Sequence, residues 1–165
     1  MDNPKLQTEF IDLIENNKKL IYKVSHLYCD NTIDKKDLFQ DIISNLWIAY
    51  PGFQNKSKIS TWVYRVSLNT AITWFRVYSK QTKSIQYTDL IPHLSDETDN
   101  TIDELYDQLY SAINSLGKID KAIILLLLDE YSYDEIAEII GITKTNVATK
   151  INRIKMKLRS YLSNN

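Results

Sequence analysis

The chain reads as all-α, in two small helical domains joined by a linker, the C-terminal one built around a helix-turn-helix. Apolar residues recur at three- and four-residue spacings along most of its length, and no two-residue alternation persists. From Ser79 to Asn100 that periodicity collapses into polar residues with Pro92, too few apolar side chains to pack. Near the C-terminus, Ser132-Tyr133-Asp134-Glu135 has the form of a capping box, and Gly141 stands where the helix that follows must stop and turn. These features predict domains at 1–78 and 101–165 with an acidic tether at 79–100 between them.

The elements follow in order. Asn3-Pro4 suits a helix start, with asparagine as cap and proline in the first turn. Leu6, Phe10, Leu13 and Ile14 form one apolar stripe. Leu20, Ile21, Val24, Leu27 and Tyr28 form a second one, after an interruption at Asn16-Asn17. Asp30-Asn31-Thr32 reads as a turn, and Asp34 as the cap of a helix starting at Lys35. That helix buries Leu38, Phe39, Ile42, Ile43, Leu46, Trp47 and Tyr50, leaves Asp37, Gln40, Asp41, Ser44 and Asn45 outward, and ends at Pro51-Gly52. After a polar loop comes a helix from about Ile59 to Tyr78. Beyond the tether, Thr101-Ile102-Asp103-Glu104 predicts another capped helix, reaching Leu116 and broken by Gly117. Lys118 to Glu130 is a buried supporting helix. The helix-turn-helix then places Ile136, Ala137, Ile139 and Ile140 on one apolar face, and Val147, Ile151, Ile154 and Leu158 on the other.

Charge is sorted along the chain, although the formal net charge is only −1. Residues 51–88 carry Lys56, Lys58, Arg65, Arg76, Lys80 and Lys83 and no acid. Residues 89–115 carry acids and no lysine or arginine. Residues 139–165 carry Lys144, Lys150, Arg153, Lys155, Lys157 and Arg159 and again no acid. Two cationic blocks flanking an acidic one suggest two DNA-facing surfaces and weak DNA binding by the free protein. Short polar residues with cationic flanks on the second helix of a helix-turn-helix suit a major groove.

Other chemistry finds little support. The single cysteine, Cys29, permits no intramolecular disulfide and fits a reducing cytoplasm. No secretory signal opens the chain, and the longest apolar run, Ala122 to Leu128, is far too short to span a bilayer. His26 and Cys29 share a helix, but a buried thiol is the expected reading and no metal site is predicted. With three glycines there is no phosphate-cradling loop, and no nucleophile-base set stands out, so neither cofactor nor enzymatic activity of its own is expected.

Two blocks of residues go further. Asp37-Leu38-Phe39-Gln40-Asp41, Leu46-Trp47, Phe53, Ser60-Thr61-Trp62-Val63-Tyr64-Arg65-Val66, Asn69 and Trp74-Phe75-Arg76 together resemble region 2 of bacterial RNA polymerase sigma factors of the extracytoplasmic-function (ECF) type. Leu116, Ser132-Tyr133, Glu135-Ile136-Ala137, Gly141-Ile142-Thr143, Val147, Arg153 and Leu158-Arg159 resemble region 4 of the same family. The resemblance implies a promoter-recognising transcription initiation subunit that binds core RNA polymerase, helps open the duplex, and is open to control by an anti-sigma factor.

It also implies roles for particular residues. Asp37, Gln40, Asp41 and Asn45 would meet the polymerase. Lys56, Lys58, Tyr64, Arg65, Asn69 and Arg76 would hold the minus-ten element as a single strand, with Trp62, Tyr64, Trp74, Phe75 and Tyr78 as candidate stacking rings; Trp47 and Trp62 are read as core. Asn146, Thr149, Lys150 and Arg153 would read the minus-thirty-five duplex, beside Thr145, while Lys144, Lys155 and Arg159 hold phosphates. Gly117, Lys121, Thr145-Asn146 and Lys150 depart from the family's usual residues, which bears on which promoter is read. The alternative is an autonomous helix-turn-helix regulator, which needs a dimerisation helix; no sustained heptad pattern supplies one beyond Leu158.

Overall fold

A computed structural model describes residues 4–29, 31–78, 108–109 and 111–163. Among these residues there is no strand. The chain divides into two units, each considered by itself. The expected tether at 79–100, the Thr101–Glu104 capping box and the Asn3 cap lie outside the described residues.

The first unit is a three-helix bundle of α1 (Pro4–Tyr28), α2 (Thr32–Ala49) and α3 (Ile59–Tyr78), each packed on the other two. α1 is one continuous helix, not two stripes with a break. Leu13, Asn17, Ile21, Val24 and Tyr28 follow one another at helical spacing, so Asn17 sits within the stripe. Its side-chain amide donates to the Leu13 carbonyl at 2.8 Å. That bond answers the tendency of asparagine to compete for backbone groups elsewhere.

α2 begins at Thr32, three residues before the expected start. Asn31, not Asp34, is its cap, with backbone at φ −92°, ψ 156° and its side-chain oxygen accepting from the Asp34 amide at 2.8 Å. Asp34 instead lies in the first turn, where a carboxylate meets the positive end of the helix dipole. A 3₁₀ turn, Tyr50–Gly52, closes the helix and passes the chain into the loop before α3.

Ile21, Val24, Leu38, Ile42, Leu46, Val63, Leu68 and Ala71 form the centre of the core. Of the side chains expected to be buried on α2, Phe39, Ile43, Trp47 and Tyr50 are only half-buried. Trp47 and Trp62 belong to a chain of rings at one end of the bundle. Phe10 meets Trp47 edge-on at 4.9 Å, and Trp62 lies 5.0 Å from Phe53 and 6.3 Å from Tyr50.

Where α1 faces α2, the Tyr22 and His26 rings meet with centroids 4.1 Å apart and planes tilted by 39°. Burial pushes the His26 imidazole below its ordinary value; the Tyr22 carbonyl, 3.1 Å from Nδ1, opposes this, and Lys35 adds to it. The unfolded chain therefore takes up the proton first as pH falls. The contribution of neutral His26 to stability is fully present above about pH 6.5, the ordinary histidine value, and is lost as pH falls from there to the lower folded value. Thermal melts of His26→Gln are expected to show a flatter dependence between pH 7 and 5; an unaltered slope would overturn this assignment.

The second unit carries α4 (Lys118–Leu128), α5 (Tyr133–Ile140) and α6 (Lys144–Ser163), again all mutually packed, with residues 111–114 helical before them. Gly117 caps α4 with extended backbone, φ −66° and ψ 157°, a conformation open to any residue. Ser132 and Glu135 form the reciprocal capping box at the start of α5. Gly141 closes that helix at φ 78°, where a side chain would be strained. Thr143 then caps α6, its hydroxyl accepting from the Asn146 amide at 3.2 Å. Val147, Ile151 and Ile154 on α6, Ile123 and Leu126 on α4 and Ile136 on α5 are all fully buried and form the core of this unit. No described helix is long and apolar enough to cross a membrane.

Candidate nucleic-acid interface

Three surfaces are built on these two units. The first is the outward face of α2. At helical spacing, Ile33, Asp37, Gln40, Asp41, Ser44 and Ile48 fall on one side, opposite the buried Leu38, Ile42 and Leu46. Asp37, Gln40 and Asp41 are exposed as expected, and no ion pair among the described residues engages either carboxylate. Asn45 also reaches solvent, but its amide donates to Thr70 Oγ1 at 3.1 Å and ties α2 to α3. Sequence reasoning missed the two isoleucines at the ends of the face, Ile33 at 73% and Ile48 at 74% exposure. Their spacing from Asp37 and Ser44 was the available signal.

The second surface is α3 with the loop before it. Trp62, Arg65, Asn69, Thr73 and Arg76 recur at spacings of three and four, so they line one face. Asn69, Thr73 and Arg76 are exposed, Trp62 and Arg65 half-buried, and Lys56 and Lys58 exposed in the loop. A shallow groove lined by Asp41, Asn45, Asn69, Thr70, Thr73, Trp74 and Val77 joins this face to α2. Thr73, which the sequence reading passed over, lies on this face and lines the groove.

Tyr64 is a correction. It is 2% exposed and among the largest fully buried side chains, on the inner face of α3 with Leu68 and Ala71. A ring enclosed by the bundle cannot stack on a base while the bundle is folded. Trp74 is buried as well, and the Tyr78 side chain lies outside the described atoms. Tyr64→Ala is expected to destabilise the first unit by about 3–5 kcal/mol, the cost of emptying an aromatic site in a packed core. Denaturant unfolding checks this, and a change within about 1 kcal/mol of zero would return Tyr64 to the surface.

The third surface is α6. Lys144, Thr145, Asn146, Thr149, Arg153, Lys155 and Arg159 are all exposed. Thr145, Thr149 and Arg153 run along the side opposite the core, with Asn146 two turns before Arg153 on the same flank and Lys144, Lys155 and Arg159 along the other flank. The Thr149 hydroxyl donates to the Thr145 carbonyl at 3.0 Å. Three lysines of α6 meet acids of the same unit, Lys157 among them with its ammonium 3.6 Å from Asp120. Lys144 Nζ lies 2.7 Å from Asp134, an exposed pair that a phosphate can displace. Lys150, expected among the base readers, is half-buried with its ammonium 3.1 Å from Asp120 on α4.

No group of three or more metal-ligating side chains exists among the described residues; Cys29 is buried.

Comparison with known proteins bears on both units. The sigma-70 region 2 family model matches residues 13–81 and the sigma-70 region 4 model matches residues 106–158. Among relatives, the RNA polymerase sigma factor YlaC of Bacillus subtilis is 29% identical over 138 residues, covering 78% of this chain and 77% of its own. The ECF RNA polymerase sigma factor SigW of the same organism is 26% identical over 168 residues, covering 94% and 90%. Among solved structures, the sigma factor RpoE of Bartonella quintana, crystallised with the anti-sigma factor NepR, superposes with a TM-score of 0.72 at 16% identity over 98% of each chain. CnrH, solved with the cytosolic domain of CnrY, gives 0.69 at 18% identity, covering 96% and 90%. With both regions matched in the family's order across most of its length, on units that fold as those regions require, the chain belongs to the sigma-70 family and has the two-region layout of the ECF sigma factors it resembles.

Proposed function

We infer that the chain is a sigma factor that binds core RNA polymerase, directs it to promoters recognised at two elements, and assists strand opening. The supporting observation is that Asn69 and Arg76 on α3 and Asn146, Arg153, Lys155 and Arg159 on α6 are exposed, with Lys56 and Lys58 exposed in the loop before α3, while the outward face of α2 carries Asp37 and Asp41. α2 meets the polymerase through Asp37, Gln40 and Asp41. Lys56, Lys58, Arg65, Asn69, Thr73 and Arg76 hold the minus-ten strand. Extruding a base from a duplex costs a few kcal/mol, which a basic groove on single-stranded DNA offsets. On α6, Asn146, Thr149 and Arg153 read the minus-thirty-five duplex from the major groove, and Lys144, Lys155 and Arg159 hold its backbone.

The chain performs no catalysis of its own in this reading and works in the cytoplasm, where the polymerase is. An anti-sigma factor would restrain it by covering the same surfaces. Run-off transcription with core polymerase and a promoter library tests the function. Transcripts that depend on this chain and share two spaced boxes are the expected outcome. Equal transcription without it, or tight sequence-specific binding by the chain alone, would overturn the reading.

A further inference from the structure

We propose that Asp120 is a positioning residue for promoter reading, and that Lys150 belongs to its clamp and not to the DNA contacts. The inference rests on the sigma-factor reading above. Asp120 lies in the first turn of α4 and its side chain is only 17% exposed. One of its carboxylate oxygens meets Lys150 Nζ at 3.1 Å and the other meets Lys157 Nζ at 3.6 Å. Lys150 and Lys157 are seven residues apart on α6, two turns along one flank. A single carboxylate thus grips the reading helix at two points, from a helix end whose dipole favours the negative charge.

This grip does what the apolar seam leaves undone. Val147, Ile151 and Ile154 hold α6 against the core. Apolar contacts are non-directional and tolerate a small roll or slide of the helix. Hydrogen bonds to base edges do not tolerate it, because they weaken steeply with distance and angle. The clamp sets the rotation of α6 and hence the approach of Asn146, Thr149 and Arg153. It also keeps the half-buried Lys150 ammonium from phosphate and holds the exposed Lys157 ammonium more loosely, so the surface offered to DNA is less cationic than its sequence. The acid therefore favours selectivity over affinity.

The full-length chain is assayed on a random-sequence duplex of about 30 base pairs, long enough for about three turns of DNA, across a salt series, and as holoenzyme on a promoter library. Lys150→Gln should leave the salt slope of random-duplex binding unchanged, whereas a lysine that neutralised a phosphate would, once removed, make it shallower by about 0.9. Asp120→Asn should release both lysines, steepen the slope by about one to two, raise random-duplex affinity several-fold, and reduce enrichment of the upstream box about tenfold. Adding Lys150→Gln to Asp120→Asn should return the slope part of the way. Lys150→Arg, which keeps the pair, should retain enrichment. A shallower slope for Lys150→Gln, or an Asp120→Asn protein with wild-type slope and enrichment, overturns the proposal. Loss of folding in Asp120→Asn leaves Lys150→Gln to decide it. Should the wild-type holoenzyme enrich no box at all, the sigma-factor reading fails, while the salt slopes still judge the clamp.

Discussion

Reversing both carboxylates in an Asp37→Lys/Asp41→Lys chain is expected to weaken association with core RNA polymerase by about two orders of magnitude or more. Run-off transcription should fall with it. The two acids lie one turn apart on the outer side of α2, both exposed and neither in an ion pair among the described residues. Their charge is therefore available to a partner, and no fold contact is spent when they are replaced. Close charge pairs across interfaces couple by about 1.5–7 kcal/mol, and each 1.4 kcal/mol is about a factor of ten, so two reversals exceed a hundredfold without further assumptions. The melting temperature should hardly move, since exposed substitutions away from caps and core usually stay within about 0.5 kcal/mol. Ile48→Ser gives a charge-neutral companion. At 74% exposure it does little for the fold, so any weakening of the complex reports apolar contact with the polymerase. Undiminished co-elution of the double-reversal chain with core polymerase would remove the assignment of this face.

How far the sequence carried the fold can be judged from single residues. The helix-turn-helix was legible almost to the residue because each boundary has its own chemical marker. Ser132 and Glu135 cap one end of α5, Gly141 is needed at positive φ at the other, and Thr143 starts α6. Where two residues could do the same job, the sequence did not choose: Asn31 and Asp34 are both good caps three apart, and the helix starts from the first. By composition Asn17 breaks the apolar stripe, but its place in the 13–17–21 series and its bond to the Leu13 carbonyl keep it within α1. Tyr64 was readable by the same rule, four residues before the buried Leu68, and its aromatic character outweighed its register. The Asp120–Lys150 pair joins residues thirty apart in sequence and exists only once α4 and α6 are packed. No pattern along the chain announces such a pair.

On α6 the expected outcome separates reading from holding. Asn146→Ala and Arg153→Ala should each lower discrimination between the preferred upstream box and its single-base variants by about 1–3 kcal/mol, the worth of one good bidentate pair. Both side chains are exposed, and neither is engaged by another side chain among the described residues. Seven residues of helix set them about 10 Å apart, far enough for their effects to add, so the double variant should lose roughly a hundredfold in selectivity. Lys155→Gln and Arg159→Gln should behave differently. They should weaken binding equally on every sequence and make the salt slope shallower by about 0.9 each, the signature of a cation withdrawn from the DNA backbone. A competition series over single-base variants, repeated at several salt concentrations, distinguishes the two patterns. If Arg153→Ala weakens all sequences alike and alters the salt slope as Lys155→Gln does, then Arg153 holds the backbone. The base code must then rest on Asn146 and Thr149 alone, on the half of α6 nearest the turn.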